Sequence, residues 1–272
     1  MISEQVSFTI IIPVYNGESF VAKAIESCLG QTVLPDEIIV VDDGSTDATE
    51  TAVRSISSEL VIILKNEKNS GPSQARNLGI RSAKSSWILF LDADDTFHPR
   101  KIEIVLQCLR NNKDIRAIGH AFDVHSPNRS LPDLKMVSGI PVMQHLSILK
   151  TLLRNPMVTP SLAVSSANQI YFNEQLKYAE DHDFILRTAE KVGLWYIDLP
   201  LCSLNRLPLT AGGISSRKWE MRKGEIRMFI NYCSRNHLVF LIPIFVIYSL
   251  FKHIRFFSFF IIRPDTGKFG AS

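Results

Sequence analysis

The chain has 272 residues, 46% of them hydrophobic, which is enough to bury one large core or two closely joined halves and excludes a disordered protein. Its formal net charge is +3, but residues 216–272 carry ten Lys or Arg against three Asp or Glu, whereas the remainder carries 20 against 24. The basic C-terminal region predicts contact with an anionic surface. The four cysteines are widely spaced, which excludes a CxxC zinc or redox motif and indicates a reducing, cytosolic compartment. Glu4 stands where a signal peptide needs a basic region, so no such peptide is expected.

Apolar runs alternate with helical periodicities along the first hundred residues. Helices are predicted around residues 20–29, after Thr46 and over Gly71–Ala83. The alternation indicates an α/β fold with a single, mostly parallel sheet flanked by helices. Four apolar runs predict strands: Val6–Pro13, Glu37–Val41, Leu60–Leu64 and Trp87–Leu91. The first run is nearly continuous, which is typical of a strand that is buried on both faces in a parallel sheet.

The pattern weakens after residue 100. A helix is predicted from Ile102 to Leu109, and Ala117–Val124 predicts a fifth strand. Residues 125–141 are rich in Ser, Pro and Asn and predict a long loop. Further elements are expected toward residue 206: helices over Leu146–Leu153 and Ala179–Val192, then two short strands near Leu194–Asp198 and Leu201–Arg206.

Acidic residues directly follow two of the predicted strands. The run ILFLDADDTF places Asp92, Asp94 and Asp95 straight after a buried strand, although like charges this close repel one another. Ligands of open α/β sheets bind beyond the carboxyl ends of the strands, so these carboxylates predict a site for a divalent cation or a hydroxylated ligand. A solvated acidic loop is the alternative interpretation.

The run Asp42-Asp43-Gly44-Ser45-Thr46 follows the second strand, at the same predicted edge of the sheet as the Asp92 cluster. Asp and Ser also cap helices, and Gly also makes tight turns, so a structural role and a binding role both remain open. Tyr15-Asn16-Gly17 follows the first strand at this edge.

Two further segments combine charge with the start of a helix. Arg76 lies in a segment that begins the helix after Gly71, and a helix N-terminus and an Arg both favour phosphate. Neither GxGxxG nor GxxxxGK[ST] occurs, which argues against a dinucleotide cradle or a P-loop. Glu180-Asp181-His182-Asp183 predicts either a helix cap or a general base.

Together these segments resemble the inverting family 2 glycosyltransferases. The resemblance rests on IIIPVYNGESFVAKAIESCLGQT, EIIVVDDGSTDAT, NSGPSQARNLGIRSA and WILFLDADD, which occur in the family's order and cover about residues 6–110. AEDHDF matches the family's later ED motif and extends the similarity to about residue 185. The resemblance implies a GT-A type nucleotide-sugar-binding fold with a Rossmann-like donor half and an acceptor half.

The resemblance also implies roles for individual residues. Asp94 would hold the Mn²⁺ or Mg²⁺ that bridges the diphosphate, and Asp181 would be the catalytic base. The segment 209–215 looks like the family's flexible loop near the acceptor. The sugar donor is expected to be a nucleotide sugar, and the resemblance implies that the nucleotide is UDP. No nucleic-acid partner is expected. The remaining positions are assigned to the nucleotide: Pro13 and Tyr15 against the base, Asp42 on its N–H, Arg76 nearby and Asp92 on the ribose.

Two rival functions use the same acidic residues. Asp92-Ala-Asp94-Asp95-Thr96 also resembles the nucleophile loop of haloacid-dehalogenase-type phosphatases, with Asp92 as nucleophile and Asp94 as acid/base. That function needs an acidic pair after another buried strand, and KYAEDHD has no apolar run before it. The second rival is a non-catalytic nucleotide-sugar binder, which the presence of Asp94 and Asp181 disfavours.

The expected domains are a glycosyltransferase domain over residues 1–215, with halves meeting near residue 125, and a helical region over residues 216–272. Leu238–Phe251 carries no charge, but spanning a membrane needs about 20 apolar residues. We therefore expect this region to lie in the interface of an anionic membrane, with a C-terminal core helix as the alternative. The expected location is the cytoplasmic face of the cell membrane, with a polyprenol-linked saccharide acceptor in cell-surface polysaccharide synthesis.

Overall fold

The computed structural model describes residues 6–124, 141–155, 157–205 and 217–261, with side chains described up to residue 252. The chain divides into two compact units, Met1–Leu207 and Pro208–Ser272. The predicted loop at 125–141 and the predicted acceptor loop at 209–215 fall almost wholly outside the described residues, as does the end of the C-terminal region.

A parallel sheet forms the first half of the larger unit. Its elements are β1 (Phe8–Val14), α1 (Val21–Leu29), β2 (Glu37–Asp42), α2 (Thr49–Arg54), β3 (Val61–Lys65), α3 (Pro72–Ser82) and β4 (Trp87–Phe90). The strands stand in the order β3-β2-β1-β4, and every neighbouring pair among them is parallel. The three helices connect them. The four predicted strands are thereby confirmed.

Burial on both faces explains the continuous apolar runs of β1, β2 and β4. Alternate residues of a strand point to opposite faces of its sheet. In β1, Ile10 and Ile12 pack into one hydrophobic cluster with Ile38 and Leu89. Ile11, which lies between them, packs into a second cluster. Each of these three strands therefore needs apolar side chains at consecutive positions, whereas β3 is partly exposed along its length.

The second half of the sheet mixes parallel and antiparallel pairs. Its elements are β5 (Thr96–Phe97), α4 (Lys101–Asn111), β6 (Ala117–Val124), β7 (Met143–His145), α5 (Ile148–Leu153), β8 (Leu162–Ser165), α6 (Glu180–Val192) and β9 (Trp195–Leu204). The strand order continues from β4 as β8-β6-β9-β5, and β7 pairs with β9. β8 is antiparallel to both β4 and β6, whereas β6 and β9 are parallel.

The prediction of two short strands after residue 194 is wrong, because one strand, β9, covers that segment. Its pairing with β6 shifts register: His120 lies opposite Ile197, and Ala121 lies opposite Pro200. The resulting bulge holds Asp198, which is exposed, and it interrupts the apolar pattern. The interruption in the apolar pattern predicts two separate strands, although the hydrogen-bonded pairing of β9 with β6 continues past it.

In the C-terminal unit the described residues form two α-helices, α7 (Lys218–Arg235) and α8 (Ile242–Ile261). Phe229 stacks on Phe245 with 4.9 Å between ring centroids. Further from the turn, Glu225 accepts hydrogen bonds from Ser249 and Lys252. The two helices are therefore antiparallel. The helical character predicted for this region is confirmed. None of the helices in the part of the chain that the structure describes is long and apolar enough to cross a bilayer.

Candidate active site

The loops after β1 and β2 interlock at the carboxyl edge of the sheet. Asn16, which has a left-handed φ of 51°, donates its backbone N–H to Ser45 Oγ at 2.9 Å. Its side-chain Oδ1 accepts from the backbone N–H of Thr46 at 2.9 Å. Pro13, which is partly buried, lies near the end of β1, and Tyr15, which is 46% exposed, begins the loop after it. An exposed aromatic ring on a fixed loop offers a surface on which a planar base can stack.

Asp42 ends β2 next to this loop pair and is only 2% exposed. Its Oδ1 accepts the backbone N–H of Ser45 at 2.8 Å, which orients the carboxylate. Its Oδ2 is buried and has no hydrogen-bond partner among the residues that the structure describes. A buried acceptor without a donor costs about 1–3 kcal/mol, so this oxygen fits a ligand that brings an N–H.

The neighbouring Asp43 is also buried, but both of its oxygens are used within the protein. They accept hydrogen bonds from Asn66 Nδ2 at 2.7 Å, from the backbone N–H of Ser70 and from the backbone N–H of Gly71 at 2.7 Å. Gly71 precedes α3 and has a φ of 92°, a conformation that favours glycine. Asp43 therefore fixes the entry to the helix that carries Arg76, so the two adjacent aspartates differ in role.

Arg76 links two acidic motifs that lie far apart in sequence. Its side chain is 5% exposed, and Nη2 donates to Asp92 Oδ1 at 2.6 Å. Nη1 lies 3.7 Å from Glu180 Oε1, and the guanidinium also lies over the ring of Phe172 at 5.1 Å. Within the described part of the chain, both Nη1 and Nε are buried without a hydrogen-bond partner. The sequence placed Arg76 near the nucleotide, and the structure places it beneath the carboxylates, as their buried counter-charge.

The three carboxylates after β4 lie in different environments. Asp92 is 35% exposed and paired with Arg76, and Asp94 is partly buried. Asp95 is 7% exposed and accepts the backbone N–H of Asn205 at 2.9 Å. Burial, and then the nearby charge of Asp92, raise the pKa of Asp95 to about 8. The more exposed members of the cluster are therefore Asp92 and Asp94.

The oxygen atoms of this cluster are hard donors, the type that a divalent cation prefers. Within the described ranges, no group of three or more His, Cys, Asp or Glu side chains is arranged to hold a metal ion. Mg²⁺ commonly binds through only one or two carboxylates, with waters and substrate phosphates completing its shell. Asp92 and Asp94 supply hard oxygen donors of this kind.

The first turn of α6 carries the candidate base. Ala179, immediately before the helix, has a left-handed φ of 59°, which is uncommon for a residue other than glycine. Asp181 is partly buried; its Oδ1 accepts the backbone N–H of His182 at 2.7 Å, and its Oδ2 accepts Asn155 Nδ2 at 3.1 Å. These two donors orient the carboxylate. Asn155 lies outside the motifs, and no sequence signal pointed to it.

The neighbours of Asp181 differ from it. Asp183 is fully buried and pairs with Arg187 Nε at 2.7 Å, so it stabilises α6. Burial, and then the charge of Asp181, raise the pKa of Glu180 to about 7, and Arg76 partly opposes that shift. Of the residues predicted for the site, the structure brings Arg76 and Asp92 into direct contact, and Glu180 joins them.

Comparison with known protein families decides the classification. The family described as Glycosyl transferase family 2 matches residues 9–170, which is more than half of the chain. The chain belongs to glycosyl transferase family 2. The matched segment includes the loops of Asp42 and Asp92 and the helix of Arg76, and it ends before Asp181. The resemblance inferred from the sequence motifs is confirmed.

Several curated glycosyltransferases are similar to this chain. An uncharacterised glycosyltransferase of Haemophilus influenzae is 32% identical over 188 residues, 67% of this chain and 62% of the relative. A Rickettsia prowazekii protein of the same description is 34% identical over 187 residues, 64% of this chain and 56% of that protein. Succinoglycan biosynthesis protein ExoO of Rhizobium meliloti is 38% identical over 99 residues, 36% of this chain and 28% of ExoO. The chain thus spans only part of these relatives.

Solved structures share the fold of this chain. A crystal structure of S. aureus TarS 1-349 in complex with UDP-GlcNAc matches with a TM-score of 0.64 and 22% sequence identity, over 83% of this chain and 67% of that chain. The same TarS fragment in complex with UDP matches with a TM-score of 0.61. The likeness confirms the GT-A type fold that the motifs implied.

Proposed function

We propose that this glycosyltransferase moves one sugar from a UDP-sugar to a hydroxyl of a saccharide acceptor, with inversion at the anomeric carbon. One observation carries the proposal: the buried Arg76 guanidinium contacts Asp92 at 2.6 Å and Glu180 at 3.7 Å. A single side chain therefore links Asp92, in the acidic cluster after β4, to the Glu180-Asp181 pair at the start of α6. Sugar transfer needs such proximity, because leaving group and attacking hydroxyl meet at one carbon.

Asp181 acts as the general base in this proposal. It removes the proton of the acceptor hydroxyl while that oxygen attacks the anomeric carbon. The new C–O bond forms on the face of the sugar opposite the diphosphate. The bond between the anomeric carbon and the diphosphate oxygen breaks in the same step. A single displacement inverts the anomeric centre and requires no enzyme nucleophile. The hydrogen bonds from His182 and Asn155 keep the carboxylate oriented for this proton transfer.

The carboxylates after β4 act on the diphosphate end of the nucleotide sugar. A bound Mn²⁺ or Mg²⁺ ion would neutralise negative charge on the leaving diphosphate. Asp94 is the proposed metal ligand and Asp92 the proposed ribose contact. Arg76 neutralises part of the charge of Asp92 from below, which offsets the repulsion between adjacent carboxylates.

The unpartnered Oδ2 of Asp42 supports uridine as the nucleoside. Uracil presents an N3–H donor, which that buried oxygen lacks in the protein alone. Tyr15 and Pro13, on the adjacent strand end, would flank the ring of the base. UDP and UDP-GlcNAc are bound in the two TarS structures, which supports the same donor class for this chain.

The C-terminal unit supports a membrane-bound, polyprenol-linked acceptor on the cytoplasmic face. Exposed apolar side chains recur at helical spacing on α8, at Ile244, Ile247 and Phe251, and Phe240 is 72% exposed in the turn before it. A helix face of this kind, in a region with a net excess of Lys and Arg, suits an anionic bilayer interface. ExoO, by its description, serves succinoglycan biosynthesis, which supports a role in polysaccharide synthesis.

A donor screen tests the transferase proposal. Purified protein with Mn²⁺ is offered a panel of UDP-, GDP-, CDP- and dTDP-sugars, and released nucleotide is measured. We expect release from a UDP-sugar and none from the others. Release from no donor at all contradicts the proposal. Turnover of an aryl phosphate instead would support a phosphatase that uses Asp92 and Asp94.

Flotation with liposomes tests the membrane proposal. The wild-type chain is expected to float with vesicles that contain anionic lipid, and Ile247→Glu is expected to reduce the floating fraction. Val142→Glu is the matched control, because Val142 is 89% exposed but belongs to the other unit. Equal flotation of both variants would remove the α8 face from the proposal.

A further inference from the structure

The third carboxylate of the acidic motif, Asp95, is hydrogen-bonded to a distant part of the chain. Its Oδ1 accepts the backbone N–H of Asn205 at 2.9 Å, and the side chain is only 7% exposed. Asn205 directly follows the last residue of β9. The two residues are 110 positions apart, so this hydrogen bond ties the acidic motif to the second half of the sheet.

The surrounding backbone continues the same connection. β5 follows Asp95 at once and pairs antiparallel with β9, with Thr96 opposite Ser203 and Phe97 opposite Cys202. His98 then donates its backbone N–H to the carbonyl of Leu201 at 3.0 Å. A two-residue strand gives little stability alone, and the Asp95 hydrogen bond extends its ladder by one more contact.

The acidic loop is therefore anchored on both sides of Asp94. On one side Asp92 is held by Arg76 of α3, and on the other side Asp95 is held by the backbone after β9. Asp94 lies between these two anchors, so its position depends on both. An anchor of this kind needs a hydrogen-bond acceptor at residue 95 and does not need a negative charge there.

We propose that Asp95 is a positioning residue that sets the place of Asp94 by hydrogen bonding to Asn205, and that it does not itself bind the metal or the donor. This inference rests on the proposed function, in which Asp94 holds the metal. It makes the acceptor oxygen of residue 95 essential and its charge dispensable.

Two substitutions separate these properties. Asp95→Asn keeps Oδ1 for the Asn205 N–H but cannot ionise at any pH, whereas Asp95→Ala removes the acceptor oxygen as well. We expect Asp95→Ala to lower kcat by at least about tenfold, because a displaced Asp94 no longer holds the metal in place, while the stoichiometry of UDP binding stays unchanged. Asp95→Asn is expected to restore kcat to within about threefold of wild type. Asp94→Asn is the matched control, and there the amide is expected not to restore turnover.

An Asp95→Asn variant as inactive as Asp95→Ala would overturn the proposal, particularly if both lose affinity for Mn²⁺ in a direct titration. Hydrogen exchange of the Asn205 amide gives a second readout that needs no turnover. Protection in wild type and Asp95→Asn, with fast exchange in Asp95→Ala, is expected. Equal protection in all three proteins contradicts the anchor. A wild-type protein without any transfer or donor hydrolysis would count against the proposed function, and the exchange experiment would still decide the anchor.

Discussion

Replacement of Asp42 by asparagine should change which base the protein prefers. In the wild-type protein Oδ1 is held by the Ser45 N–H at 2.8 Å and Oδ2 remains buried and unpartnered. The amide in Asp42→Asn would keep its oxygen on Ser45, because that partner is a donor, and would turn its NH₂ group toward the ligand. Uracil N3–H would then face a donor, whereas cytosine N3 is an acceptor and would be satisfied.

The expected size of this effect follows from the lost hydrogen bond. A hydrogen bond to a charged group contributes about 1.5–3 kcal/mol, which corresponds to roughly 10- to 150-fold weaker binding of UDP. Stability should change little, because each protein leaves one buried polar atom at this place without a partner. Calorimetric titration of UDP and CDP into both proteins, with Mn²⁺ present, measures the change.

The opposite trend for CDP is the sharper half of this prediction. We expect its affinity to stay constant or to increase in Asp42→Asn, so that the preference for UDP is reduced. An unchanged UDP affinity, within about twofold, would refute the assignment of Asp42 to the base. Parallel weakening of UDP and CDP would instead indicate damage to the loop that Ser45 holds.

Three more predictions concern the acidic residues. Asp94→Ala should abolish turnover without unfolding the protein, and wild-type activity should disappear in chelator and return with Mn²⁺; full transfer in chelator would contradict the metal role. Asp181→Asn should retain donor binding and lose about 10²-fold or more in transfer, measured with a fixed acceptor, and normal transfer would move the base to Glu180. Because the folded-state pKa of Glu180, about 7, lies above its usual value, the folded protein holds that proton more tightly, and this contribution is lost as the pH rises through about 7. Thermal unfolding should therefore show Glu180→Gln stabilised relative to wild type at about pH 8 and not at about pH 5, and an equal difference at both would refute the shift.

The donor half was predictable because its signals are local. β1, β2 and β4 are buried on both faces, so their sequences are continuous apolar runs that end at the site. β8 carried no comparable signal. It has four residues, and it takes its place in the sheet between β4 and β6, which are remote from it in sequence. Its existence depends on tertiary pairing that the local pattern does not encode.

The site was predictable by residue type and less so by contact. The motifs named Asp42, Arg76, Asp92 and Asp181, but the pattern could not show that Arg76 is buried between two carboxylates. That arrangement depends on α3 and α6 meeting in the fold. Asn155 could not be found at all, because a single amide near a helix end resembles any surface residue.

The insertion of β8 beside β4 has a consequence for synthesis on the ribosome. Strand β4 ends at Phe90, but the strand that covers its free edge ends at Ser165, about 75 residues later. At about 5–20 residues per second, that edge stays open for roughly 4–15 s while the rest of the chain emerges. An open β edge on an apolar sheet invites pairing with other nascent chains. Nascent chains halted near residue 150 should therefore bind chaperones more than chains halted after residue 200, when β8 has left the exit tunnel.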